Sequence, residues 1–308
     1  MQKSTPLVTV GIPTYNRPEG VERTLACITK QTYTNLEIII SDNCSDRPEV
    51  LLILKRYAEQ DARITYYVQE KNLSIVPNFQ FLLEKAVGEY FMWAADDDNW
   101  DNNFIEVCVN GLDANNDVSL CMTDCKLVGP DGVTRNSKLK RSFMQRSLFN
   151  RCFHFVKCTS ENKYFFCGLY RTSLVKNIPF HNSWGGDHLF LYEAITKGKF
   201  LYIAGHSNFY YFRGGSSKGT VSVKKAFNIK SRFYFFDAYV LRYATHQFGF
   251  KHLSMIKKIG LFFSNGAGLV CNEDFILYYI FIKKPVKALI SIFKKKSDGN
   301  FNQDKKKV

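Results

Sequence analysis

Three consecutive carboxylates, Asp96, Asp97 and Asp98, follow an apolar run at residues 90–95 and precede Asn99. Adjacent negative charges repel one another, so a folded chain keeps them together most easily where a cation offsets the charge. A divalent metal ion that carries a phosphate-bearing substrate is such a cation. An isolated acidic triplet is also typical of a solvated turn. Here its position at the end of an apolar strand favours a ligand site, because open α/β sheets bind ligands at that edge.

The elements that must position these acids alternate regularly along the first third of the chain. Apolar segments rich in β-branched residues alternate with segments of helical spacing. The predicted strands lie at residues 7–12, 36–42, 64–68 and up to 95, and the predicted helices at about 19–30, 49–59 and 76–86. This alternation predicts an α/β fold with a mainly parallel sheet flanked by helices.

A parallel sheet of this kind brings distant parts of the sequence to one edge. Right-handed crossovers place the carboxyl ends of all the parallel strands on the same side. Residues 13–16 follow the first strand, Asp42 ends the second, and the acidic triplet follows the fourth. We therefore predict that these three segments meet in one crevice.

The second half of the chain has less regular patterns. A strand at 119–128 and a turn at 129–132 precede a basic, aromatic stretch at 135–157, for which we predict a loop or short helices. Further predicted elements are a helix from about 187 to 198, strands at 199–204 and 208–213, and helices beyond about 221. We predict one domain over residues 1–220, divided near residue 128, and a basic helical region at 221–308.

Charge is distributed unevenly along the chain. Residues 1–128 hold 11 Lys and Arg against 19 Asp and Glu, a net charge of −8, whereas residues 129–308 hold 31 against 9, a net charge of +22. This division predicts that the acidic half binds a metal ion and that the basic half contacts an anionic partner.

Cysteine usage and hydropathy indicate a cytoplasmic protein. The nine cysteines are odd in number and contain no CxxC pair, which is typical of free thiols in a reducing compartment. The first apolar stretch is too short for a signal peptide. The longest apolar run, residues 275–282, falls short of the roughly 20 residues that a membrane-spanning helix needs.

Three motifs together resemble the nucleotide-sugar half of a family 2 glycosyltransferase with the GT-A fold. They are Gly11-Ile-Pro-Thr-Tyr-Asn-Arg17, Ser41-Asp-Asn-Cys-Ser-Asp46 and the segment from Gly88 to Trp100 that contains the acids. The resemblance is strong over residues 7–105 and looser to about 217. Many relatives read Asp-x-Asp-Asp, and this chain has Ala95 in place of the first Asp. The spore-coat-type branch also lacks that acid and reads Asp-Asp-Asn, as Asp97, Asp98 and Asn99 do here.

The resemblance implies roles for individual residues. Tyr15 would pack against the nucleotide base, with Pro13 and Asn16 beside it. Asp42 would accept a hydrogen bond from a base N–H group, which favours a uracil-type donor.

The resemblance also divides the work among the acids. Asp97 would lie near the ribose or the sugar, and Asp98 would bind Mn²⁺ or Mg²⁺, since hard oxygen ligands suit those ions. Asp96 has no implied role.

The attacking hydroxyl of an acceptor needs a base. Asp187, after a glycine-containing loop, matches the position at which the family carries the base of an inverting reaction; the usual Glu-Asp pair is here Gly186-Asp187. The alternative is that Asp187 caps the helix that begins there. Arg213, ahead of a glycine- and serine-rich loop, is predicted to close over the donor diphosphate, although such a loop is also typical of a simple connection.

The carboxyl-terminal region is basic and aromatic. Residues 283–308 hold nine Lys and two Asp, and apolar residues between 286 and 293 have helical spacing. Peripheral contact with an anionic membrane and packing on the catalytic domain explain this pattern equally well. Nucleic acid is not an expected partner, because no recognition fold accompanies the basic residues.

The resemblance therefore implies a metal-dependent, inverting hexosyltransferase in surface polysaccharide synthesis. Its expected partners are a nucleotide-diphospho-sugar donor, UDP-linked, and a glycan or lipid-linked acceptor. The alternative is a nucleotide-sugar-binding partner without transfer activity in a glycan assembly complex. A nucleotidylyltransferase is disfavoured, because the chain lacks a glycine- and lysine-rich activation loop near its amino end.

Overall fold

A computed structural model of the chain describes residues 5–137, 139–158, 162–181, 185–212 and 246–271. The strands are β1 (Val8–Thr14), β2 (Leu36–Asp42), β3 (Ile64–Val68), β4 (Tyr90–Trp93), β5 (Asn99–Trp100), β6 (Val118–Val128), β7 (Thr134–Asn136), β8 (Leu169–Arg171) and β9 (Lys199–Phe212). The α-helices are α1 (Pro18–Ile28), α2 (Pro48–Gln60), α3 (Ile75–Lys85), α4 (Phe104–Asp113), α5 (Leu148–Lys157), α6 (Thr172–Val175), α7 (Gly186–Lys197) and α8 (Met255–Val270). Short 3₁₀ helices lie at Lys163–Cys167 and His246–Gly249.

The amino-terminal half is a parallel sheet with helices on both faces. Its strand order is β3-β2-β1-β4, and every pairing among these strands is parallel. All seven residues of β1 are buried, which is expected of a central strand covered on both faces. The predicted α/β fold with a mainly parallel sheet is confirmed.

The sheet continues across the predicted boundary near residue 128. β8 lies antiparallel between β4 and β6, and β9 pairs in parallel with β6. The short strand β5, directly after the acidic triplet, pairs antiparallel with β9. Both predicted halves therefore contribute to one sheet, and β9 returns to the edge where the acids lie.

The two strands predicted at 199–204 and 208–213 are one strand, β9, so this prediction is wrong. The polar residues between them form an irregularity opposite Thr123 and Asp124, where the strand register shifts. Gly205 adopts a left-handed conformation there, with φ of 78°, and its N–H donates to the Asp124 carboxylate at 2.6 Å. The pairing with β6 resumes beyond this bulge, because the Asp124 carboxylate accepts the hydrogen bond of the displaced Gly205 N–H.

In the second half of the chain, helix α5 packs against both α7 and α8. α7 is buried on almost every side, which explains its lack of a polar face. The stretch at 135–157, predicted as a loop or short helices, contains β7 and the ten-residue helix α5. α8 lies within the region predicted to be helical beyond 221 and packs against α5. Among the helices that the structure describes, none is both long enough and apolar enough to cross a membrane.

Candidate active site

A cavity of about 830 Å³ opens at the carboxyl ends of β1 and β4. Its lining combines both halves of the chain, because Phe166, Cys167 and Tyr211 face residues that follow the first strands. The other lining residues are Pro13, Thr14, Tyr15, Arg17, Asn43, Asn72, Ser74, Ile75, Asn78, Phe79, Trp93, Ala95, Asp96, Asp97 and Asp98. The predicted crevice therefore exists, and all three acids lie in it.

Asp96, to which the resemblance gives no role, is hydrogen-bonded to two other residues that line the cavity. Its carboxylate accepts hydrogen bonds from Thr14 Oγ1 at 2.9 Å and from Arg17 Nη1 at 2.8 Å. Burial raises the pKa of Asp96 to about 6, and the Arg17 charge opposes that rise. Arg17 also binds Asp97 Oδ2 at 3.0 Å. One guanidinium thus bridges two of the three acids and offsets part of their repulsion.

Asp98 is the most deeply buried acid of the triplet, with 2% of its surface exposed. Its Oδ1 accepts a hydrogen bond from the backbone N–H of Phe212 at 3.3 Å, and Cys167 Sγ lies 3.9 Å from Oδ2. Burial and the neighbouring Asp97 charge raise the pKa of Asp98 well above its ordinary value. A carboxylate in these surroundings favours a bound cation.

Gly20 allows helix α1 to approach this acidic segment. A Cβ atom at Gly20 would lie 2.2 Å from the backbone oxygen of Asp96. Thr24, one turn later, donates from Oγ1 to the backbone oxygen of Ala95 at 3.2 Å. The close packing of α1 thus fixes the backbone that presents the three carboxylates.

We expect Gly20→Ala to lower the free energy of unfolding by about 1–3 kcal/mol, because the methyl group would displace backbone rather than a flexible side chain. Urea unfolding would measure the change. Gly266→Ala is the matched control, since Gly266 is also helical and a Cβ there meets nothing within 4 Å. The control should be neutral or stabilising by up to about 1 kcal/mol. Equal unfolding curves for the two variants would contradict the packing role of Gly20.

Asp187 lies in the first turn of α7 and is partly exposed. The capping residue is Gly185, with φ of 79°, and no side chain caps this helix end, so Asp187 is not its N-cap. At Gly186, where the resemblance implies an acid, a Cβ atom would lie 2.1 Å from the backbone oxygen of His181, so this backbone leaves no room for a side chain. His188, the neighbouring alternative, is buried, and burial lowers its pKa.

Cys167 connects Asp187 with the cavity. The pKa of the Cys167 thiol is raised well above its ordinary value by burial first, then by Asp98, with a smaller contribution from Asp187. Both acids therefore lie near the same side chain. Asp187 itself does not belong to the lining that the described residues form.

The residues expected at the nucleotide base occupy different depths. Pro13 and Tyr15 line the cavity, and Tyr15 is 40% exposed. Asp42 lies behind the lining, 2% exposed, and accepts through Oδ1 from the Ser45 backbone N–H at 3.2 Å. Asn16 has a left-handed backbone with φ of 57°, and its Oδ1 accepts from the Asp46 backbone N–H at 2.7 Å. Asn16 therefore ties the loops after β1 and β2 together.

Sequence patterns missed several lining residues. Arg17 lay within a motif, but only the structure shows that it bridges two acids. Phe166, Cys167 and Tyr211 come from elements with weak patterns, and no sequence signal identified them. Asn78 lines the cavity, and its side chain makes two hydrogen bonds with Ser41. Arg213 lies outside the described residues.

The acids suit a divalent metal ion whose remaining coordination positions are filled by the substrate. Within the described ranges, no three His, Cys, Asp or Glu side chains converge as an all-protein metal site. Mg²⁺ and Mn²⁺ sites commonly use one or two carboxylates together with substrate phosphates. The buried Asp98 carboxylate, raised in pKa and open to the cavity, suits that arrangement, with Asp97 beside it.

One curated relative covers most of the chain. It is the GalNAc(5)-diNAcBac-PP-undecaprenol β-1,3-glucosyltransferase of Campylobacter jejuni, 25% identical over 211 residues, which are 68% of this chain and 65% of the relative. The chain spans 16%, 37% and 65% of the lengths of three curated relatives that it matches.

Solved structures share the fold. TarS 1–349 of S. aureus, solved with UDP-GlcNAc, has a TM-score of 0.58 at 19% identity and covers 86% of this chain and 81% of its own. The mannosyltransferase PcManGT of Pyrobaculum calidifontis, solved with GDP-Man and Mn²⁺, has a TM-score of 0.50 at 15% identity, over 96% and 84% of the two chains. The GT-A fold is thereby confirmed.

The sequence pattern of the family described as glycosyl transferase family 2 matches residues 9–178. This match spans more than half of the chain and includes the acidic triplet, the segments after β1 and β2, and Cys167. The chain therefore belongs to glycosyltransferase family 2.

Proposed function

We propose that this glycosyltransferase moves a sugar from a UDP-linked donor to a glycan or lipid-linked acceptor, with inversion at the anomeric carbon and with a divalent metal ion. The observation that supports this proposal most directly is the buried Asp98 carboxylate, which lines the cavity. Asp98 and Asp187 both act electrostatically on Cys167, which also lines the cavity. The complex of TarS with UDP-GlcNAc supports a UDP-linked donor.

The donor diphosphate would lie between Tyr15 and the acids. Tyr15 would stack on the base, and Asp42 would accept from it. Asp98 would hold Mn²⁺ or Mg²⁺, and Asp97 would contact the ribose or the sugar. Arg213, which lies outside the described residues, would bind the diphosphate. The bound ion would supply charge stabilisation for the leaving diphosphate. The complex of PcManGT with Mn²⁺ supports this assignment.

Asp187 would act on the acceptor. A carboxylate there accepts the proton of the attacking hydroxyl while the bond to the anomeric carbon forms. The partial exposure of Asp187 leaves it open to an acceptor, whereas His188 is buried. Attack from the side of Asp187, opposite the diphosphate, inverts the anomeric configuration in one displacement.

The acceptor and the location of the protein form a second part of the proposal. The name of the Campylobacter relative specifies an undecaprenol-linked glycan, which supports a lipid-linked acceptor and work at the inner face of the cytoplasmic membrane. The sequence Asp97-Asp98-Asn99 supports placement near the spore-coat-type branch of the family. Synthesis of a surface polysaccharide is the process that these features favour.

A thermal-shift series tests the donor and the metal together. UDP, UDP-glucose, UDP-GlcNAc and GDP-mannose are each added with Mn²⁺ or with a chelator. A ligand at 100 times its Kd adds about 2.7 kcal/mol to the free energy of unfolding. We expect UDP-linked compounds to raise Tm by several degrees with Mn²⁺ and much less with chelator. Equal shifts in both conditions would disprove metal dependence, and no shift with any nucleotide sugar would disprove the donor assignment.

A further inference from the structure

Helices α5 and α8 form a surface that the proposed transfer reaction does not use. We call it the α5–α8 surface and define it by its exposed apolar side chains, which are Phe149, Phe248, Met255, Ile256, Ile259, Phe262 and Phe263. They lie next to one another: the ring centroids of Phe248 and Phe262 are 6.1 Å apart, and those of Phe262 and Phe263 are 5.6 Å apart. A contiguous group of large exposed apolar side chains indicates an interaction surface.

Small residues allow α8 to pack closely against α5. A Cβ atom at Gly260 would lie 2.5 Å from the Phe149 ring, and one at Gly268 would lie 3.0 Å from the Phe153 backbone oxygen. Ser264, between them on the same side of α8, donates to the Phe149 backbone oxygen at 2.8 Å. These contacts fix which side of α8 faces the protein, so the opposite side cannot rotate inward.

The outward side of α8 is apolar. Ile256 is 82% exposed, Phe263 is 69% exposed and Met255 is 60% exposed. After Lys257, every exposed residue of this helix in the described part of the chain is apolar: Ile259, Phe262, Phe263 and Ala267. Water-facing helices normally carry charged or polar residues on this side.

The sequence segments that form the α5–α8 surface are basic and contain no acid. Residues 132–160 hold seven Lys and Arg without one Asp or Glu, and residues 246–271 hold three Lys and no acid. Lys257 is adjacent to Ile256, and the Lys258 ammonium donates to the Phe248 backbone oxygen at 3.1 Å. Burial lowers the pKa of His154 on α5, and the charges of Lys157 and Arg141 lower it further.

We propose that the α5–α8 surface docks the protein onto an anionic membrane. Ile256 and Phe263 insert among the lipid chains, and the nearby lysines contact the anionic headgroups. This proposal rests on the proposed function, which includes work at the membrane, and it assigns the membrane contact to a defined surface. That place differs from the one expected at residues 283–308.

Charge favours a membrane over the basic carboxyl-terminal tail and over a second copy of the chain. The carboxyl-terminal residues 283–308 carry a net charge of +7, so they would repel this basic surface. A second copy of the chain placed face to face would oppose lysines to lysines. A bilayer with anionic headgroups offers both the apolar interior and the opposite charge.

Vesicle co-sedimentation of the full chain tests the proposal, with phosphatidylcholine vesicles compared with vesicles that also contain about 30 mol% phosphatidylglycerol. We expect binding to the anionic vesicles that weakens as salt rises. The pair Ile256→Ser and Phe263→Ser should lower the partition coefficient about tenfold. The pair Lys251→Gln and Lys257→Gln should lower it about tenfold on anionic vesicles alone. Leu52→Ser, at a residue 65% exposed on α2, should bind like the native chain.

Three results would overturn the proposal. The first is that the native chain does not bind vesicles, and the second is that the Ile256 and Phe263 variant binds them as well as the native chain does. The third is that this variant differs from the native chain in oligomeric state by gel filtration, which would identify a second copy as the occupant. Tm values and Mn²⁺-dependent shifts with UDP, measured on every variant, separate misfolding from lost docking. A variant that loses vesicle binding but keeps its UDP shift supports the docking surface. A native chain that binds vesicles but not nucleotide sugars would refute only the donor assignment.

Discussion

Asparagine in place of Asp187 is expected to lower the rate of sugar transfer by about 10²–10⁴-fold, the usual contribution of a general base. The change keeps the size of the side chain and removes only its ability to accept the proton of the acceptor hydroxyl. Donor binding should persist, because Asp187 is not among the described residues that line the cavity. Single-turnover kinetics would measure the loss, and Mn²⁺-dependent thermal shifts would show that the donor still binds.

Glu193→Gln is the matched control for this variant, because Glu193 is the other acid of α7 and pairs with Lys197 at 3.6 Å. Its transfer rate should stay close to that of the native chain. Full activity of Asp187→Asn would place the base elsewhere. A loss of donor binding in the same variant would show that Asp187 contacts the donor rather than the acceptor.

Asp98→Asn is expected to abolish the Mn²⁺-dependent part of donor binding and to lower transfer by at least about 10³-fold, because a metal ion contributes several kcal/mol at the transition state. The same change should raise the stability of the ligand-free chain at neutral pH. Burial raises the pKa of Asp98, so the unfolded chain gives up this proton at a lower pH than the folded chain, and folding stability falls as the pH rises above the ordinary aspartate pKa. Neutral asparagine removes this cost. In acid, below the ordinary aspartate pKa of about 3.9, both states are protonated and the difference should vanish.

Asp97→Asn decides between the two neighbouring acids. Asp97 has 25% of its side chain exposed and shares Arg17 with Asp96, so it also reaches the cavity. If Asp98 holds the ion, Asp97→Asn should keep a Mn²⁺-dependent Tm shift with UDP. A lost shift in Asp97→Asn together with a retained shift in Asp98→Asn would assign the ion to Asp97.

Patterns of local sequence predicted the sheet of the amino-terminal half well. β1, β2 and β3 lie within two residues of their predicted positions, because each is a short apolar run bounded by turn residues. The meeting of their carboxyl ends followed from the handedness of crossovers alone. This is why the acids could be placed in one cavity with Tyr15 before any contact was known.

The depth of each acid depended on residues far away in sequence, so it could not be predicted. Asp98 is buried because Phe212 and Cys167 close over it from the second half of the chain. The single strand β9 was missed because an acid on its neighbour holds the bulge at Gly205. The absence of a side chain at 186 departs from the family pattern, and only the position of the His181 carbonyl explains it.

The bridge from Arg17 to Asp96 and Asp97 has a consequence for the order in which ligands arrive. Arg17 pairs with two of the three acids, so the cavity lining still holds more acidic groups than this one guanidinium offsets. A donor diphosphate is itself an anion and would be repelled by these acids, whereas a divalent cation would be attracted by them. We therefore expect the ion to enter ahead of the donor or together with it.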